Sequence, residues 1–247
     1  MRLLSALDPQ EPRRGLATDE ALLKSVRGSG QDTIRLWVND RAAIVGRSQS
    51  VADEVDVRFA ARCGIPILRR ISGGGTVYHY AGNLNVSVVL RDGRRVGSVS
   101  AAFRRFGEAI AKALAEICPE ISWNENDLLI ERRKVGGAAQ ARRGDSLLYH
   151  TTLLVEPVDV RMPDLLLAMR HGYRPKRVAS RPRRTVSLAE AIGENLSPER
   201  IAGILAPALA DTLSEPLSSS GLEDDEERRL RWLVEHKYGD RVWNQSR

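Results

Sequence analysis

The sequence has little of several features that define other classes of protein. Two cysteines, Cys63 and Cys118, occur among its 247 residues, and the four histidines show no metal-binding spacing. So few thiols exclude a disulfide framework or a thiolate metal site. No apolar run approaches the roughly 20 residues of a membrane helix, and residues 1–7 are too short and weakly apolar for a signal sequence. We therefore expect a reduced, cytoplasmic protein that does not enter a membrane.

Lysine is also scarce, because only five of the 38 basic residues are lysines and the others are arginines. A lysine at a functional position is therefore easy to notice. The net charge of +6 favours acidic partners or phosphates, although such a charge is common in soluble enzymes. With 42% apolar and 28% charged residues, the chain can bury a full core. This excludes disordered tails and small disulfide-stapled scaffolds.

Apolar periodicity predicts a mixed order of helices and strands, and hence the α+β class. Helices are expected over residues 16–26, 57–63, 103–117, 164–169, 198–213 and 222–235. Strands are expected over residues 33–38, 43–46, 67–70, 76–78, 84–90, 128–130, 134–140 and 147–155. Between Arg170 and Arg184 lie seven basic residues, two prolines and no acid. This composition predicts an irregular basic connector, or alternatively a plain solvated loop.

The clearest chemical signal is the segment Arg69–His79, RRISGGGTVYH. Glycines without Cβ let backbone N–H groups converge on an oxygen-rich ligand, and a neighbouring arginine can hold phosphate or carboxylate through two bonds. The alternative is a glycine-rich hairpin turn. The segment matches neither the Walker pattern nor the dinucleotide fingerprint.

Two later segments add to this signal. Asn126-Asp127-Leu128 is followed, seven residues after Asp127, by Lys134 and the small residues 135–139, VGGAA. A lysine that begins such a strand has little packing reason to be there, and the small residues let a ligand lie close to the strand. The alternative is an ordinary surface lysine.

These segments resemble the catalytic domain of the lipoate-protein ligase A family, within the biotin/lipoate ligase superfamily. Residues 69–83 (RRISGGGTVYHYAGN) are similar to the family signature RRxSGGGxVxHDxGN. Residues 126–128 are similar to the Asn-Asp-Leu motif of the family, and residues 134–139 are similar to its lysine strand. Residues 149–155 (YHTTLLV) are similar to its His-Gly-Thr-Leu-Leu strand. The resemblance covers nearly the whole chain. It implies one domain over residues 1–247, with a mixed, mainly antiparallel sheet flanked by helices. It also implies a basic connector at about residues 170–186, C-terminal helices over residues 197–247 and no separate accessory domain.

The resemblance implies an ATP-dependent ligase. The carboxylate of lipoate would attack the α-phosphate of ATP, with Mg²⁺ assisting, to give lipoyl-AMP and pyrophosphate. A lysine of a carrier domain would then take the lipoyl group and release AMP. Lys134 is the predicted catalytic residue, because a compact positive charge between the α-phosphate and the lipoyl carboxylate stabilises negative charge in both steps. We expect only modest discrimination between lipoate and octanoate, since one methylene in an apolar pocket is worth only about 1–3 kcal/mol.

The same resemblance assigns roles to individual residues. Arg70 would contact the nucleotide or adenylate phosphate, Val77 would line the acyl tunnel, and Asp127 would lie near the nucleotide or its metal. His79 and Asn83 would complete the pocket, although a core histidine and a turn asparagine are nearly as well supported. The implied ATP- or lipoyl-AMP-binding residues are Arg70, Ser72, Gly73, Gly74, Gly75, Thr76, Val77, Tyr78, His79, Asn83, Asp127, Lys134 and Ala138.

The implied partners are lipoyl domains of 2-oxo acid dehydrogenase complexes, the glycine cleavage carrier protein or a related carrier. Tyr80 stands where the family usually has Asp, and Thr151 stands where Gly is common. Local geometry and substrate or acceptor choice are therefore expected to differ there. The chain ends shortly after Trp243 and Asn244, whereas bacterial ligases often carry a further domain that helps adenylation. This predicts a separately encoded accessory subunit.

Three other functions compete with this one. A lipoyl or octanoyl transferase of the same fold would need a reactive cysteine, but Cys63 and Cys118 lie outside residues 126–140 and are interpreted as buried structural cysteines. A biotin ligase would carry a Gly-Arg-Gly-Arg type of phosphate loop, which the sequence lacks. A nucleic-acid binder would use the basic connector, but aromatics make up only 5% of the chain and the usual binding motifs are missing.

Overall fold

The computed structural model describes residues 1–28 and 31–246. Its strands are β1 (Arg2–Gln10), β2 (Thr33–Asn39), β3 (Ala42–Val45), β4 (Ile67–Arg69), β5 (Val77–His79), β6 (Asn83–Leu90), β7 (Ile121–Asn124), β8 (Asp127–Ile130), β9 (Arg133–Arg143), β10 (Ser146–Leu154) and β11 (Ser218–Ser219). Its helices are α1 (Pro12–Ser25), α2 (Val51–Glu54), α3 (Val57–Arg62), α4 (Val99–Leu114), α5 (Met162–Leu165), α6 (Leu188–Ile192), α7 (Pro198–Leu213), α8 (Asp224–Leu233) and α9 (Arg241–Gln245). Two 3₁₀ turns span Gly93–Val96 and Leu167–Met169, and a π-helical turn, Val234–Tyr238, follows α8.

The strands form two sheets. The large sheet has the order β11-β1-β2-β6-β10-β9-β8-β7, and the small sheet has the order β4-β3-β5. In the large sheet β1 runs parallel to β2 and β11, and the other neighbouring pairs are antiparallel. This arrangement confirms the predicted α+β class with a mixed, mainly antiparallel sheet. No helix in the described ranges is long and apolar enough to cross a membrane.

The central strand β6 shows why the two faces of the large sheet differ. Leu84, Val86 and Val88 belong to a hydrophobic core that also contains buried residues of α4 and α7. Their neighbours Asn83, Asn85 and Ser87 alternate with them, and all three are at most 3% exposed. A polar strand face ordinarily meets water. Here it is covered, so its polar side chains form a buried surface inside the molecule.

The two ends of the chain are joined by buried charged contacts. Arg2 donates two hydrogen bonds to Glu226, at 2.6 and 2.8 Å, and both side chains are almost fully buried. Glu20 of α1 accepts from Lys237 Nζ at 2.8 Å and from the Tyr238 hydroxyl at 2.8 Å. These contacts hold α8 against β1 and the π-helical turn against α1.

The structure differs from the sequence-based expectations at a few elements. The patterns did not predict β1, β7, β11, α2 or α6. β1 contains Asp8 and Pro9, and each of the other four elements has at most five residues. The helix expected over residues 103–117 begins at Val99 and ends at Leu114, and the helix expected over residues 164–169 is split into α5 and a 3₁₀ turn. The expected C-terminal helices correspond to α7, α8 and α9, and residue 247 lies outside the described residues.

Candidate active site

A cavity of about 460 Å³ lies between the polar face of the large sheet and the small sheet. Such a volume is typical of small-molecule sites. Its lining includes one residue from each of four neighbouring strands, which form the cross-strand row Trp37, Asn85, Thr152 and Gly137. At about 4.8 Å between strands, the two ends of this row are about 14 Å apart. Trp37 belongs to an apolar cluster that also includes Val77, whereas Lys134 contacts the Gly137 end.

Most of the predicted binding residues line this cavity. They are Arg70, Gly74, Gly75, Thr76, Val77, Tyr78, His79, Asp127, Lys134 and Ala138. Three others lie elsewhere. Gly73 is exposed, Ser72 is buried behind the loop, and Asn83 is buried with its side chain donating to the Leu153 carbonyl oxygen at 2.7 Å. The motif therefore identified a segment that lines the cavity, but not the direction in which each of its side chains points.

Arg70 organises the glycine loop that follows it. Its buried guanidinium donates to the carbonyl oxygens of Ile44 (3.1 Å), Gly73 (2.6 Å) and Gly75 (2.7 Å), and to Ser72 Oγ (3.0 Å). Burial lowers the pKa of Arg70 to about 10, so the side chain stays charged at neutral pH. A buried cation whose partners are neutral oxygens gives this wall of the cavity a positive potential, which favours an anionic ligand group.

The preceding arginine has a different role. Arg69 donates to the carbonyl oxygens of Gly46 (2.8 Å) and Gln49 (2.8 Å), and its own carbonyl oxygen accepts from Trp243 Nε1 at 2.9 Å. It therefore ties β4 to α9 and to the loop after β3. Arg69 therefore stabilises the fold, whereas the adjacent Arg70 lines the cavity.

Lys134 forms the centre of the charged end of the cavity. Its Nζ lies 2.7 Å from Asp127 Oδ1, and Arg183 Nε lies 3.1 Å from Asp127 Oδ2. A register shift between β8 and β9, beside Leu128 and Leu129, gives β9 an irregular pairing just where Lys134 begins it. Such irregularities re-aim side chains beside functional sites. A Cβ at Gly137 would lie 2.6 Å from Lys134 Nζ, so the glycine leaves room for the lysine side chain.

His79 and Tyr78 are held in fixed states by burial. Burial lowers the pKa of His79 to about 3, and the nearby Arg70 charge acts in the same direction, so the imidazole is neutral. Asn39 Nδ2 donates to His79 Nδ1 at 3.0 Å. Burial raises the pKa of Tyr78 to about 12. Tyr80, at the position that departs from the family pattern, stacks on Tyr78 with ring centroids 5.6 Å apart.

Sequence analysis missed a buried polar network beneath the glycine loop. His150 of β10 lies between Asp19 of α1, at 3.2 Å from Nδ1, and Ser72, at 2.6 Å from Nε2. Arg35 donates to Asp19 Oδ1 at 2.7 Å, and Ser87 donates to Asp19 Oδ2 at 2.8 Å. Burial alone would raise the pKa of Asp19. The contacts with His150 and Arg35 together lower it by more than burial raises it, so the carboxyl pKa lies below its ordinary value. A histidine in the middle of the largely buried strand SLLYHTTLL was the signal that could have revealed this network.

The basic connector covers one side of the cavity. It has neither a helix nor a strand over residues 171–184, as predicted. Ser180 Oγ donates to Glu54 Oε2 at 2.5 Å and accepts from the Thr76 amide at 3.0 Å, and the Tyr173 hydroxyl also donates to Glu54. A Cβ at Gly75 would lie 2.9 Å from Ser180 Oγ. The connector is thus fastened directly to the glycine loop.

The described part of the chain places no cysteine in the cavity lining and forms no metal cage. Cys118 is buried, burial raises its pKa, and neither cysteine lines the cavity. Cys63 is half-buried rather than buried as expected, and it caps the end of α3. Within residues 1–28 and 31–246, no cluster of three or more His, Cys, Asp or Glu side chains could hold a metal ion. Asp127 can therefore serve a metal only as one ligand among others.

Comparison with known proteins identifies the family. Residues 11–210 match the model of the lipoyl protein ligase A/B catalytic domain. The chain belongs to this family. A protein of Aeropyrum pernix assigned as a lipoate-protein ligase A is 35% identical over 206 residues, which cover 83% of this chain and 77% of that protein. Lipoate-protein ligase A subunit 1 of Thermoplasma acidophilum is 28% identical over 98% of this chain and 95% of that protein.

Solved structures of the family superpose closely on this chain. An assigned lipoate protein ligase of T. acidophilum with bound lipoic acid has a TM-score of 0.84 and 27% identity, covering 99% of both chains. A lipoate-protein ligase A bound with ATP also has a TM-score of 0.84 at 27% identity, covering 99% of this chain and 98% of the other. A transferase is similar too. The octanoyltransferase LipM of Symbiobacterium thermophilum is 29% identical over 93% of this chain and 92% of its own length.

Proposed function

We propose that this chain is an ATP-dependent lipoate–protein ligase. It activates lipoate to lipoyl-AMP and transfers the lipoyl group to a lysine of a carrier domain. The observation that carries the proposal is one cavity with a lysine at its charged end. An apolar cluster lies at the opposite end of the cross-strand row that lines the cavity. Family relatives that bind ATP or lipoic acid support it.

Lys134 is the proposed catalytic residue. In the first step an oxygen of the lipoate carboxylate bonds to the α-phosphorus of ATP, and pyrophosphate leaves. The Lys134 ammonium exchanges its Asp127 partner for the α-phosphate and carboxylate oxygens, whose negative charge it stabilises. In the second step the acceptor amine bonds to the acyl carbon, AMP leaves and the amine loses a proton. Lys134 stabilises the oxyanion and remains charged throughout.

Arg70 and the glycine loop form the proposed anion-binding wall, with the acyl chain running toward Trp37 and Val77. We propose that the ten predicted binding residues that line the cavity contact ATP or lipoyl-AMP. Mg²⁺ is usually held by one or two carboxylates together with substrate phosphates. We therefore propose that Asp127, now paired with Lys134 and Arg183, would be one ligand of an Mg²⁺ ion bound with ATP, and that the ion would offset phosphate charge.

The proposed partners are lipoyl domains and a second ligase subunit. Support comes from the similarity to a T. acidophilum structure of a bi-partite lipoate protein ligase and its E2 lipoyl domain, at a TM-score of 0.84 and 28% identity. The octanoyltransferase alternative is weaker, because neither cysteine lines the cavity. The half-buried Cys63 lies at the end of α3, whereas Lys134 is part of the cavity lining.

Mass spectrometry of a purified lipoyl domain tests the proposal. One reaction contains this protein, Mg²⁺, ATP and lipoate, a second contains synthetic lipoyl-AMP instead, and a Lys134→Ala variant is run in both. We expect a lipoyl mass increase with the wild-type protein and its loss in the variant.

The pattern of products separates the parts of the proposal. Modification from lipoyl-AMP alone supports a requirement for the second subunit in adenylation. Equal modification by Lys134→Ala contradicts the catalytic role of this lysine. If neither wild-type reaction modifies the domain, the ligase proposal fails for this acceptor, and a thioester on Cys63 or Cys118 is the next species to seek.

A further inference from the structure

Four side chains connect α1 to the glycine loop through consecutive hydrogen bonds. Asp19 Oδ2 lies 3.2 Å from His150 Nδ1, and His150 Nε2 lies 2.6 Å from Ser72 Oγ. Ser72 Oγ in turn accepts from Arg70 Nε at 3.0 Å. Arg70 ends the series by donating to the carbonyl oxygens of Gly73 and Gly75. Asp19, Ser72 and Arg70 are each at most 6% exposed, so these three side chains are shielded from bulk water.

The direction of each bond follows from its partners. A carboxylate accepts hydrogen bonds and cannot donate, so Asp19 requires the proton on His150 Nδ1. In the neutral ring, His150 Nε2 then carries a lone pair and accepts the Ser72 hydroxyl proton. With its proton used in this way, Ser72 Oγ presents lone pairs to the Arg70 N–H group. The tautomer of His150 therefore decides whether the Ser72 hydroxyl donates to His150 or accepts from it while Ser72 Oγ accepts from Arg70.

An Asp–His–Ser series also occurs in serine hydrolases, but this serine is not placed as a nucleophile. Ser72 is only 1% exposed and does not line the cavity. Its oxygen already accepts from a guanidinium, which lowers its electron density. A nucleophile needs an oxygen open to the substrate carbonyl. The series is thus suited to orienting groups rather than to forming an acyl-enzyme.

We propose that Asp19 and His150 are positioning residues, which act through Ser72 and Arg70 to hold the glycine loop in its ligand-binding shape. The inference rests on the proposed function only for the identity of the ligand, lipoyl-AMP. Asp19 fixes the His150 tautomer, His150 fixes the Ser72 hydroxyl, and Ser72 fixes the guanidinium that gathers the loop carbonyls. His150 needs no contact with the ligand for this role, although it lies in the cavity wall.

The tautomer is measured first, and it needs no ligand. Nitrogen-15 NMR of the full-length protein distinguishes the two ring nitrogens, and the chain has only four histidines to assign. His150→Gln identifies the His150 signals by their loss. We expect the proton on Nδ1 in the wild-type protein and on Nε2 in Asp19→Asn, whose amide can donate to Nδ1. A proton on Nε2 of wild-type His150, in a neutral or charged ring, contradicts the proposal.

A double-mutant cycle then tests whether His150 acts through Ser72. The measured quantity is the dissociation constant of synthetic lipoyl-AMP for the wild-type protein, Ser72→Ala, His150→Asn and the double variant. Loss of one buried hydrogen bond predicts about tenfold weaker binding for each single variant. We expect the double variant to bind no more weakly than Ser72→Ala. Multiplying effects would mean that His150 contacts the ligand directly, and would overturn the proposal.

Two further variants guard against a purely structural explanation. His150→Gln keeps an acceptor where Nε2 lies and should recover most of the affinity that His150→Asn loses. His236→Asn, at an exposed histidine of the π-helical turn, should leave the affinity unchanged. If the wild-type protein binds no lipoyl-AMP, the proposed function fails before any variant is compared. The tautomer measurement still decides the positioning role in that case.

Discussion

Two charged clusters meet at the cavity, and they are built in opposite ways. The buried cluster comprises Asp19, Arg35, Ser72, Arg70 and His150, and its Asp19 and Arg35 side chains are only 3% and 2% exposed. In the open cluster of Lys134, Asp127 and Arg183, the two cations are 25% and 42% exposed. Removing the partner of a buried charge costs the protein much stability, whereas a half-exposed charge can exchange partners at little cost in free energy. The buried cluster should therefore determine stability, and the open cluster should determine rate.

The largest expected effect is on the buried cluster. Arg35→Met leaves the Asp19 carboxylate buried without its ion-pair partner, which should lower the free energy of unfolding by about 3–5 kcal/mol. Urea denaturation followed by circular dichroism measures the change. Arg95→Met removes a surface pair with Asp32 and Glu215 and should cost no more than about 1 kcal/mol. Equal losses in the two variants would remove the proposed distinction between the clusters.

Lys134→Ala should have the next largest effect, and on rate alone. Removing a charge that stabilises the transition state should slow lipoyl transfer by roughly 10²–10³-fold, about 3–4 kcal/mol. Because Lys134 is partly exposed, the urea midpoint should stay close to that of the wild-type protein. Single-turnover transfer from lipoyl-AMP measures the rate. A variant that unfolds more easily yet transfers normally would reverse the comparison.

Gly137→Ala tests the open cluster without removing a charge. The added Cβ would lie 2.6 Å from Lys134 Nζ and 2.8 Å from Lys134 Cε, so this flexible side chain must move away. A displacement of about 1 Å at a catalytic group can cost up to about 10²-fold in rate. The matched control is Gly203→Ala in α7, where a Cβ meets nothing within 4 Å. The control should keep full transfer activity and gain about 0.5–1 kcal/mol of stability.

His79 gives the smallest effect, as a dependence of stability on pH. The unfolded chain binds a proton at this histidine below about pH 6.5, whereas burial lowers the pKa in the folded protein to about 3. Stability should therefore fall as the pH drops below 6.5, by about 1.4 kcal/mol for each pH unit. His79→Gln should reduce the fall in the urea midpoint between pH 7 and pH 5. His171→Gln, at an exposed site, should retain the wild-type slope.

Sequence patterns singled out Lys134 and Asp127 of the open cluster because these two residues are close in sequence, whereas Arg183 is distant from both. Lys134 begins a strand of small residues, and Asp127 lies in the short strand beside it. The antiparallel turn between β8 and β9 brings the two together. A motif of this kind states both the residue types and the geometry that joins them.

The buried cluster could not be predicted in the same way, because its contacts are long-range. Asp19 and His150 are 131 positions apart in sequence. In the helical pattern of α1 an aspartate is expected to face water, yet Asp19 faces the sheet and is only 2% exposed. The polar alternation of β6 is ambiguous for the same reason. The face of β6 that carries Ser87 is buried because α1 packs on it, and Ser87 then donates to Asp19 of that helix.

The pairing of Lys134 with the end of the connector limits how the chain can vary in length. The Lys134 amide donates to the Arg184 carbonyl oxygen at 2.7 Å, and the Val186 amide donates to the Lys134 carbonyl oxygen at 3.0 Å. An insertion around Gly172, which lies in the irregular part of the connector, leaves this pairing in register. A single residue added at Thr185 would shift the pairing and carry Lys134 with it. Related chains should therefore tolerate insertions near residue 172 and keep a constant spacing between residues 184 and 186.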